Sequence, residues 1–226
     1  MKAPIIETFL SIQGEGFNLG RPSIFVRFSG CNLKCRFKGK TCDTPYAMVA
    51  KKEHMVLSED LVDTILSYDI KHVVFTGGEP LLYQDFIIEV MKELPENSFE
   101  FETNGTIPPR LYLKKRCCLF NVSPKLKSSN QPNPEFCERR INHASLSKFP
   151  KNTTTFKFVI TGDNDLREVV ELQKKYRHIP IYLMPEGVTR QEVIKHSPQV
   201  VQMCVDYGFT FSPREHIIIW NTKRGV

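Results

Sequence analysis

The sequence predicts an α/β fold built around a mainly parallel sheet. Two observations favour this class. Short runs rich in β-branched and aromatic residues alternate with stretches of helical periodicity, which is typical of βαβ units. Polar motifs also follow three of the predicted strands directly, as expected where the carboxyl ends of parallel strands form one site. The 226 residues are enough for one large domain with a sizeable core.

Seven segments rich in β-branched or aromatic residues are predicted to be strands. They are, in chain order, Ser23–Phe28, His72–Thr76, Ser98–Thr103, Leu119–Ser123, Thr155–Thr161, Pro180–Met184 and His216–Trp220.

Helical patterns separate several of these strands. Ser58 begins the first helix, because acidic residues and then apolar residues at helical spacing follow it. The same spacing recurs over Asp85–Leu94 and Asp165–Tyr176. Ser197-Pro198 is predicted to form the cap and first turn of a helix over Gln199–Tyr207. Strands and helices in this order predict parallel βαβ units.

Composition excludes several classes of function. The net charge of +6, from 31 basic and 25 acidic residues, is scattered along the chain, which argues against a nucleic-acid-binding surface and suits small anionic ligands. No stretch of 18 consecutive apolar residues predicts a membrane-spanning helix. The N-terminal residues lack the features of a secretory signal, so the cytoplasm is the expected compartment.

Three polar motifs lie at predicted strand ends. They are TGGEP at Thr76–Pro80, ETNG at Glu102–Gly105 and SPK at Ser123–Lys125. One such loop would mean little, since Gly and Pro commonly turn the chain. Their occurrence after consecutive strands predicts one shared site.

Three of the seven cysteines, Cys31, Cys35 and Cys42, lie within twelve residues after the first predicted strand. An odd count without a secretory signal argues against disulfides, and the charged segment CNLKCRFKGKTC is a poor candidate for a buried core. A metal centre is the favoured interpretation. Zinc needs a fourth ligand, for which only the distant His54 offers itself, whereas three cysteines on a 4Fe–4S cluster leave one iron open. Buried thiols without a metal remain an alternative.

The cysteine trio and the later TGGEP motif resemble the radical S-adenosylmethionine (SAM) superfamily, whose signature is CxxxCxxC after the first barrel strand. Within it, the chain resembles the 7-carboxy-7-deazaguanine synthase (QueE) family over nearly its whole length. The motifs that carry this resemblance are IQGEG, RPSIFVRFSGCNLKC, CDTPYA, ETNG, VSPK, FKFVI, LMPEG and the C-terminal His216.

The resemblance implies an incomplete, modified radical-SAM (β/α)6-type barrel with mainly parallel strands. Residues 1–226 would form a single core domain with a variable C-terminal part. The chain departs from the signature by placing six residues, Arg36–Thr41, between the second and third cysteines instead of two. This insertion and a second loop or insertion at Ser128–Pro134 account for the excess length. Cys35 remains the expected second ligand, and the other four cysteines are expected to be ordinary thiols.

The resemblance also implies three cofactors. A 4Fe–4S cluster would be held by Cys31, Cys35 and Cys42, with SAM at its open iron, and Mg²⁺ would be held by Thr44 with Asp43 beside it. The SAM contacts carried over from the family are Gly78, Ser123, Pro124, Lys125, Phe156, Lys157, Phe158 and Val159. Taken without the family, Lys157 would be assigned to the solvent-facing side of its strand.

The activity implied is the radical ring contraction of 6-carboxy-5,6,7,8-tetrahydropterin to 7-carboxy-7-deazaguanine with release of ammonia. Arg27 would bind the substrate carboxylate, and Glu102 would accept hydrogen bonds from the pterin. The remaining substrate contacts are Ile12, Gln13, Gly14, Thr76 and His216. No catalytic residue is expected beyond the cofactors. A homodimer and a flavodoxin or ferredoxin-type electron donor are the expected partners, with no nucleic acid and no membrane.

Two other functions remain open from sequence. The first is another radical SAM enzyme, such as an activase that installs a glycyl radical on a partner protein. The second is a non-catalytic, zinc- or cluster-bearing binding module. The first of these classes would not need Arg27, Thr44 and Glu102 together.

Overall fold

The structure, a computed structural model, describes residues 1–37, 40–42, 44–50, 52–129 and 134–226. Its strands are β1 (Lys2–Ile12), β2 (Pro22–Phe28), β3 (Arg36–Phe37), β4 (Lys40–Thr41), β5 (Met55–Leu57), β6 (His72–Gly77), β7 (Ser98–Thr103), β8 (Leu119–Val122), β9 (Thr154–Ile160), β10 (Ile181–Pro185) and β11 (Thr210–Phe211). Its α-helices are α1 (Ser58–Leu66), α2 (Gln84–Lys92), α3 (Leu111–Lys115), α4 (Pro134–Arg139), α5 (His143–Leu146), α6 (Asp163–Lys175), α7 (Arg190–Tyr207) and α8 (Glu215–Trp220).

Nine of the strands form one sheet in the order β11-β10-β9-β8-β7-β6-β2-β1-β5. The seven strands from β2 to β11 in this order pair in parallel, as the sequence predicts. Within the described residues the edge strands β5 and β11 do not pair with each other, so the sheet is not closed. This confirms the expected α/β class.

Two strands at one edge pair antiparallel with their neighbours and were missed from sequence; only β1 runs against the direction of the seven parallel strands. β1 pairs antiparallel with β2, with Thr8 opposite Val26 and Ser11 opposite Ser23, and β5 pairs antiparallel with β1. β1 contains polar residues on both faces and has a register shift between Ile5 and Glu7, so it lacks a simple alternation. Its position matters because it carries Ile12 into the site at its end.

The two faces of the sheet differ sharply in chemistry. One face carries a row of phenylalanine rings, one from each of β2, β6, β7 and β8, with ring centroids 5.2–6.1 Å apart. These are Phe28, Phe75, Phe101 and Phe120, all at most 1% exposed. Neighbouring side chains alternate between faces along a strand. The residues next to these phenylalanines, among them Arg27, Thr76, Glu102 and Asn121, therefore face the opposite side.

The predicted strand His216–Trp220 is wrong, because these residues belong to helix α8. The run HIIIW contains β-branched residues, but short apolar runs do not distinguish a strand from a helix. Backbone bonds from Ile217 and Ile218 to the Arg214 carbonyl close the first turn, and Ile217 alone of the run is buried.

The predicted start of the last long helix at Ser197-Pro198 is also wrong. Helix α7 begins nine residues before Gln199, where Thr189 and Glu192 form a capping box. Pro198 lies inside the helix, and the Ser197 hydroxyl donates to the Val193 carbonyl at 2.7 Å. The capping box was the missed signal, since it satisfies the first N–H groups of the helix more fully than Ser197 could.

The other predicted helices are confirmed within two or three residues. The predicted loop Ser128–Pro134 falls largely on residues 130–133, which lie outside the described residues; Ser128 and Ser129 form a 3-10 turn, and Pro134 begins α4. Across the part of the chain that is described, no helix has both the length and the apolar character needed to cross a membrane.

Candidate active site

A cavity of about 240 Å³ lies at the carboxyl ends of the parallel strands and gathers most of the predicted site residues. Sixteen of the nineteen line it: Ile12, Gln13, Gly14, Arg27, Cys31, Cys35, Cys42, Thr44, Thr76, Gly78, Glu102, Ser123, Lys125, Lys157, Val159 and His216. Pro124, Phe156 and Phe158 are not on its wall. The position agrees with the rule that ligands bind at this edge of parallel sheets.

Strand β9 explains why Phe156 and Phe158 lie elsewhere. Both are fully buried in the core on the opposite face of the sheet. The alternate residues of the strand, Lys157 and Val159, face the cavity. Any contact of Phe156 or Phe158 with a bound cofactor must therefore come from the backbone.

The unusual spacing of the cysteines is accommodated by a β-hairpin. β3 and β4 pair antiparallel, with Arg36 opposite Thr41, and the Cys42 N–H donates to the Cys35 carbonyl at 3.1 Å. The pairing thus keeps the backbones of the two flanking cysteines adjacent although six residues separate them in sequence. Cys31, Cys35 and Cys42 all line the cavity, although within the described residues no three cysteine, histidine or carboxylate side chains are grouped closely enough to hold a single metal ion. Three thiols on one loop are the ligand number of a 4Fe–4S cluster with one open iron.

Burial raises the pKa of Cys31 to about 11. Its sulfur lies 3.9 Å from the Asn104 side-chain nitrogen, which also donates to Asn32 Oδ1 at 2.9 Å. A thiol in this setting stays protonated until a metal replaces the proton. The seven cysteines, all within the described residues, form no disulfide.

Thr44 lies at the start of a 3-10 turn over Pro45–Ala47, and its side chain does not cap that turn. Its carbonyl accepts a hydrogen bond from the Ala47 N–H at 3.0 Å. The residue lines the same cavity as the three cysteines. Asp43, its expected neighbour at the metal, lies outside the described residues.

The glycines of the TGGEP motif allow two strand ends to pack closely. Gly77 has φ +113°, and a Cβ on Gly78 would lie 2.1 Å from the Gly30 carbonyl oxygen. The Gly78 N–H donates to the Phe28 carbonyl at 3.0 Å. These contacts bring the end of β6 against the loop that carries Cys31, so the glycines have a packing role in addition to any contact with a ligand.

Glu79 completes this junction from inside the protein. Its buried carboxylate accepts hydrogen bonds from Thr103 Oγ1 at 2.7 Å, the Asn104 N–H at 2.8 Å and the Leu81 N–H at 3.0 Å. Burial raises its pKa despite these donors. The carboxylate joins the end of β6 to the end of β7, and the motif is therefore chiefly a structural connection between two walls of the cavity.

Arg27 projects into the cavity from β2 and is paired with Glu7 of β1. Its Nε donates to Glu7 Oε1 at 2.6 Å, and the guanidinium lies 5.6 Å from the Phe9 ring centroid and 5.9 Å from that of Tyr46. This pairing uses one of the five guanidinium donors. The aromatic rings fix the plane of the guanidinium, which favours bidentate binding of a carboxylate.

Two carboxylates from β7 share the same amide donors. Glu100 and Glu102 lie on one face of the strand, and the amides of Gln13 and Asn121 each donate to both. Glu100 is fully buried and also bonds His72, whose Nε2 is 3.1 Å away. The side chain of Gln13 is consequently committed to orienting Glu102, and its backbone N–H and carbonyl pair with Arg21 and Gly20.

Lys157 differs most from its expected environment, because its strand pattern alone would place it on the solvent-facing side. It is buried, 2% exposed, and its ammonium lies 2.6 Å from Glu102 Oε2 and 2.7 Å from Glu15 Oε2. Burial opposes its charge, but the two carboxylates raise its pKa above the ordinary value. Glu15 in turn accepts from Arg214 Nε at 2.9 Å.

The two carboxylates beside Lys157 respond in opposite directions. Burial, together with repulsion from Glu100 and Glu15, raises the pKa of Glu102 to about 7, although Lys157 opposes this rise. Burial also disfavours ionised Glu15, but Lys157, Arg214 and His216 outweigh it and hold its pKa well below the usual range. Glu102 is therefore the carboxyl in this cluster that changes protonation near neutral pH.

His216 reaches the cavity from the first turn of α8, even though the strand predicted for it is absent. Its Nε2 lies 4.0 Å from Glu15 Oε1. A Cβ on Gly14 would lie 2.2 Å from His216 Nδ1, so the glycine provides the space that the imidazole occupies. Lys125 and Ser123 also line the cavity, and Lys125 Nζ donates to Ser123 Oγ at 2.9 Å.

Four residues of this network were not predicted to have a role: Glu15, Glu100, Asn121 and Arg214. The sequence contains a signal for two of these residues, Glu100 and Glu15. The alternation in SFEFET places Glu100 and Glu102 on the same face of the strand, and Glu15 belongs to the QGEG motif. Asn121 lies in a short apolar strand with nothing in its local pattern that indicates a site.

Comparison with known proteins agrees with these features. Residues 25–172 match the radical SAM superfamily. Among curated proteins, a 7-carboxy-7-deazaguanine synthase of Halobacterium salinarum is 35% identical, covering 96% of this chain and 90% of its own length. Synthases of the same name from Rhodopirellula baltica, 34% identical over 98% of this chain and 88% of their own, and from Clostridium acetobutylicum, 31% identical over the whole of both chains, are also similar.

Among solved structures, the crystal structure of QueE from Escherichia coli is similar in fold. The TM-score is 0.67, and the match covers 95% of both chains at 24% sequence identity. This likeness supports the architecture of the sheet and the position of its carboxyl edge.

Proposed function

This chain belongs to the radical SAM superfamily and, within it, to the 7-carboxy-7-deazaguanine synthase family; from that premise we propose that it contracts the ring of 6-carboxy-5,6,7,8-tetrahydropterin to 7-carboxy-7-deazaguanine with release of ammonia. The observation that carries the proposal is that three cysteine thiols, Arg27 and Glu102 line one cavity. Such a cavity combines a cluster site, a cation for a carboxylate and an acceptor for the pterin edge.

In this proposal Cys31, Cys35 and Cys42 would hold a 4Fe–4S cluster, and the iron left without a cysteine ligand would be open to SAM. Together these two groups supply one-electron radical chemistry when they are bound. The protein shields this position from water, since Leu33 and Cys35 are buried. The β3–β4 hairpin fixes the position of Cys42. Gly78, Ser123, Lys125 and Val159 are proposed to contact SAM with their cavity-facing atoms.

The substrate is proposed to bind between Arg27 and Glu102. The guanidinium, held by Glu7 and two aromatic rings, binds the substrate carboxylate. Glu102 accepts hydrogen bonds from the guanidine-like edge of the pterin, with Thr76, His216 and the backbone of residues 12–14 completing the contacts. The buried amides of Gln13 and Asn121 keep the Glu102 carboxylate from rotating.

Mg²⁺ is proposed to bind beside the substrate with Thr44 as its protein ligand. A hard cation takes oxygen ligands and retains several waters, so one hydroxyl together with substrate oxygens and water is a suitable set. Removal of Mg²⁺ by a chelator is expected to weaken substrate binding without loss of iron.

The partners are proposed from the family. They comprise a second copy of the chain as a homodimer and a flavodoxin or ferredoxin-type electron donor. The thiols that would ligate a cluster suit a reducing compartment, which supports the cytoplasm as the location.

The test combines reconstituted protein, SAM, a reductant, Mg²⁺ and carboxytetrahydropterin under anaerobic conditions. We expect carboxydeazaguanine and ammonia in equal amounts. Intact cluster and SAM cleavage without carboxydeazaguanine would reject the proposed reaction and favour another radical SAM activity, such as glycyl-radical activation. A colourless protein with one zinc would reject both.

A further inference from the structure

The cluster formed by Glu15, Glu102 and Lys157 has a geometry that the substrate contacts alone do not require. The Lys157 ammonium lies between two carboxylate oxygens, 2.7 Å from Glu15 and 2.6 Å from Glu102. Its side chain is only 2% exposed. A buried cation costs several kcal/mol to desolvate, so its retention at the cavity wall calls for a role beyond packing.

We infer that Lys157 and Glu15 are positioning residues that act through Glu102: Lys157 fixes the Glu102 carboxylate and favours its ionised form, and Glu15 sets how much of the Lys157 charge Glu102 receives. The inference rests on the proposed function, in which Glu102 accepts hydrogen bonds from the substrate. A carboxylate is an acceptor at both oxygens, whereas a carboxylic acid presents a donor at one of them.

The two carboxylate oxygens of Glu102 accept hydrogen bonds from different donors. Oε2 receives the ammonium of Lys157, while Oε1 receives the amides of Gln13 and Asn121 at 3.1 Å each. Three donors from three different segments hold one carboxylate. Its orientation in the cavity is therefore fixed before any ligand arrives, which lowers the entropy lost on binding.

Glu15 adjusts this arrangement from the other side. It binds Lys157 and also Arg214, whose Nη1 donates to the Gly187 carbonyl at 2.6 Å. The charged and titratable groups around Glu102 are thus Glu100 on its own strand, Lys157 on β9, Glu15 in the segment after β1, and Arg214 and His216 at the start of α8. Glu15 competes for the same ammonium, and its own charge repels Glu102.

Two substitutions should move Glu102 in opposite directions. Lys157→Met removes the cation and favours protonated Glu102, so the acidic limb of the kcat/KM profile moves to higher pH, by about one unit or more. Glu15→Gln removes a charge that repels Glu102 and makes Glu102 the only carboxylate paired with Lys157. Ionised Glu102 is then favoured, so the acidic limb moves to lower pH. Lys157→Arg keeps the cation and should restore a limb close to that of the wild type.

The test measures product formation against pH for these three variants, each with full iron content. Lys174→Met is the matched control, because Lys174 forms an exposed ion pair with Glu171 on α6, away from the cavity; its pH limb should not move. Limbs that shift in the same direction, or do not shift, in Lys157→Met and Glu15→Gln would overturn the inference.

A second measurement does not depend on turnover. Infrared titration of the full chain with its cluster follows the carboxylic acid band that disappears in Glu102→Gln. We expect this band to titrate at higher pH in Lys157→Met and at lower pH in Glu15→Gln than in the wild type. If the wild type makes no carboxydeazaguanine, the proposed function fails, while the infrared result still decides the role of Lys157 and Glu15. An unchanged band in both variants would refute that role.

Discussion

At the scale of single residues, the cavity is built from side chains that hold one another before any ligand is bound. Arg27 is fixed by Glu7 and by the rings of Phe9 and Tyr46. Glu102 is fixed by Lys157 and by the amide donors described above. The residues that hold Arg27 and Glu102 set the orientation of these two side chains. They therefore contribute to substrate affinity without contacting the substrate themselves.

Arg27→Ala is expected to weaken substrate binding by about 10- to 100-fold, because a charge-assisted bidentate contact contributes on the order of 1.5–3 kcal/mol. Iron content and SAM cleavage without substrate should be retained. The measurement is KM for the pterin, with the exposed Arg21→Ala as control. An unchanged KM would remove Arg27 from the carboxylate site.

Gly78→Ala is expected to destabilise the protein, since the added Cβ would lie 2.1 Å from a backbone oxygen. Overpacking of this kind costs about 1–3 kcal/mol. Thermal unfolding should show a lower Tm, by roughly 2–4 °C for each kcal/mol. Gly162→Ala is the control because nothing lies within 4 Å of its Cβ position. Equal Tm values for the two variants would contradict the packing role of Gly78.

At the scale of secondary-structure elements, the β3–β4 hairpin reconciles an enlarged loop with a fixed ligand set. Pairing of Arg36 with Thr41 makes Cys35 and Cys42 the two residues at the base of the hairpin. The distance between these two ligands is set by the register of the two strands that lie between them, so a longer segment between the cysteines need not move either thiol.

Cys35→Ala is expected to abolish cluster binding, because Cys35 is the thiol that the hairpin brings beside Cys42. Cys117→Ala, at an exposed position, is the control and should keep full iron content. Iron content and the visible spectrum of the reconstituted protein measure the outcome. A full complement of iron in Cys35→Ala would place the second ligand elsewhere.

The elements also separate what local sequence can predict from what it cannot. The parallel strands and the cavity-lining motifs were predictable, because strand ends and turn residues are local signals. Helix α8 was mistaken for a strand, since Ile217 and its neighbours suit both states. The role of Asn121 and the pairing of Lys157 with Glu15, 142 residues apart, depend on tertiary contacts that no local window contains.

At the scale of the whole molecule, the stability of the fold is linked to the protonation of its cavity. The folded state raises the pKa of Glu102 to about 7, mainly through burial, whereas the unfolded chain has the ordinary value near 4.5. The folded state therefore binds this proton more tightly. Its contribution to stability is greatest at low pH and is lost as the pH rises from about 4.5 through 7.

Glu102→Gln is consequently expected to flatten the decline in the free energy of unfolding between pH 5 and pH 8. Denaturant unfolding of the wild type and the variant at these two values gives the measurement. Glu135→Gln, at an exposed position on α4, should keep the wild-type decline. A decline of equal size in Glu102→Gln would show that this carboxyl does not titrate in that range.

The contacts that close the cavity also set an order in which its parts can form. The three thiols lie within twelve residues, whereas the Gly16 N–H reaches Ser212 Oγ, and Glu15 reaches Arg214, across almost the whole chain. Contacts between distant segments must overcome a larger loss of chain entropy before they form. During synthesis, the cysteine loop is complete long before the ribosome has released residue 214. The metal-binding half of the cavity can therefore assemble first, and the polar half last.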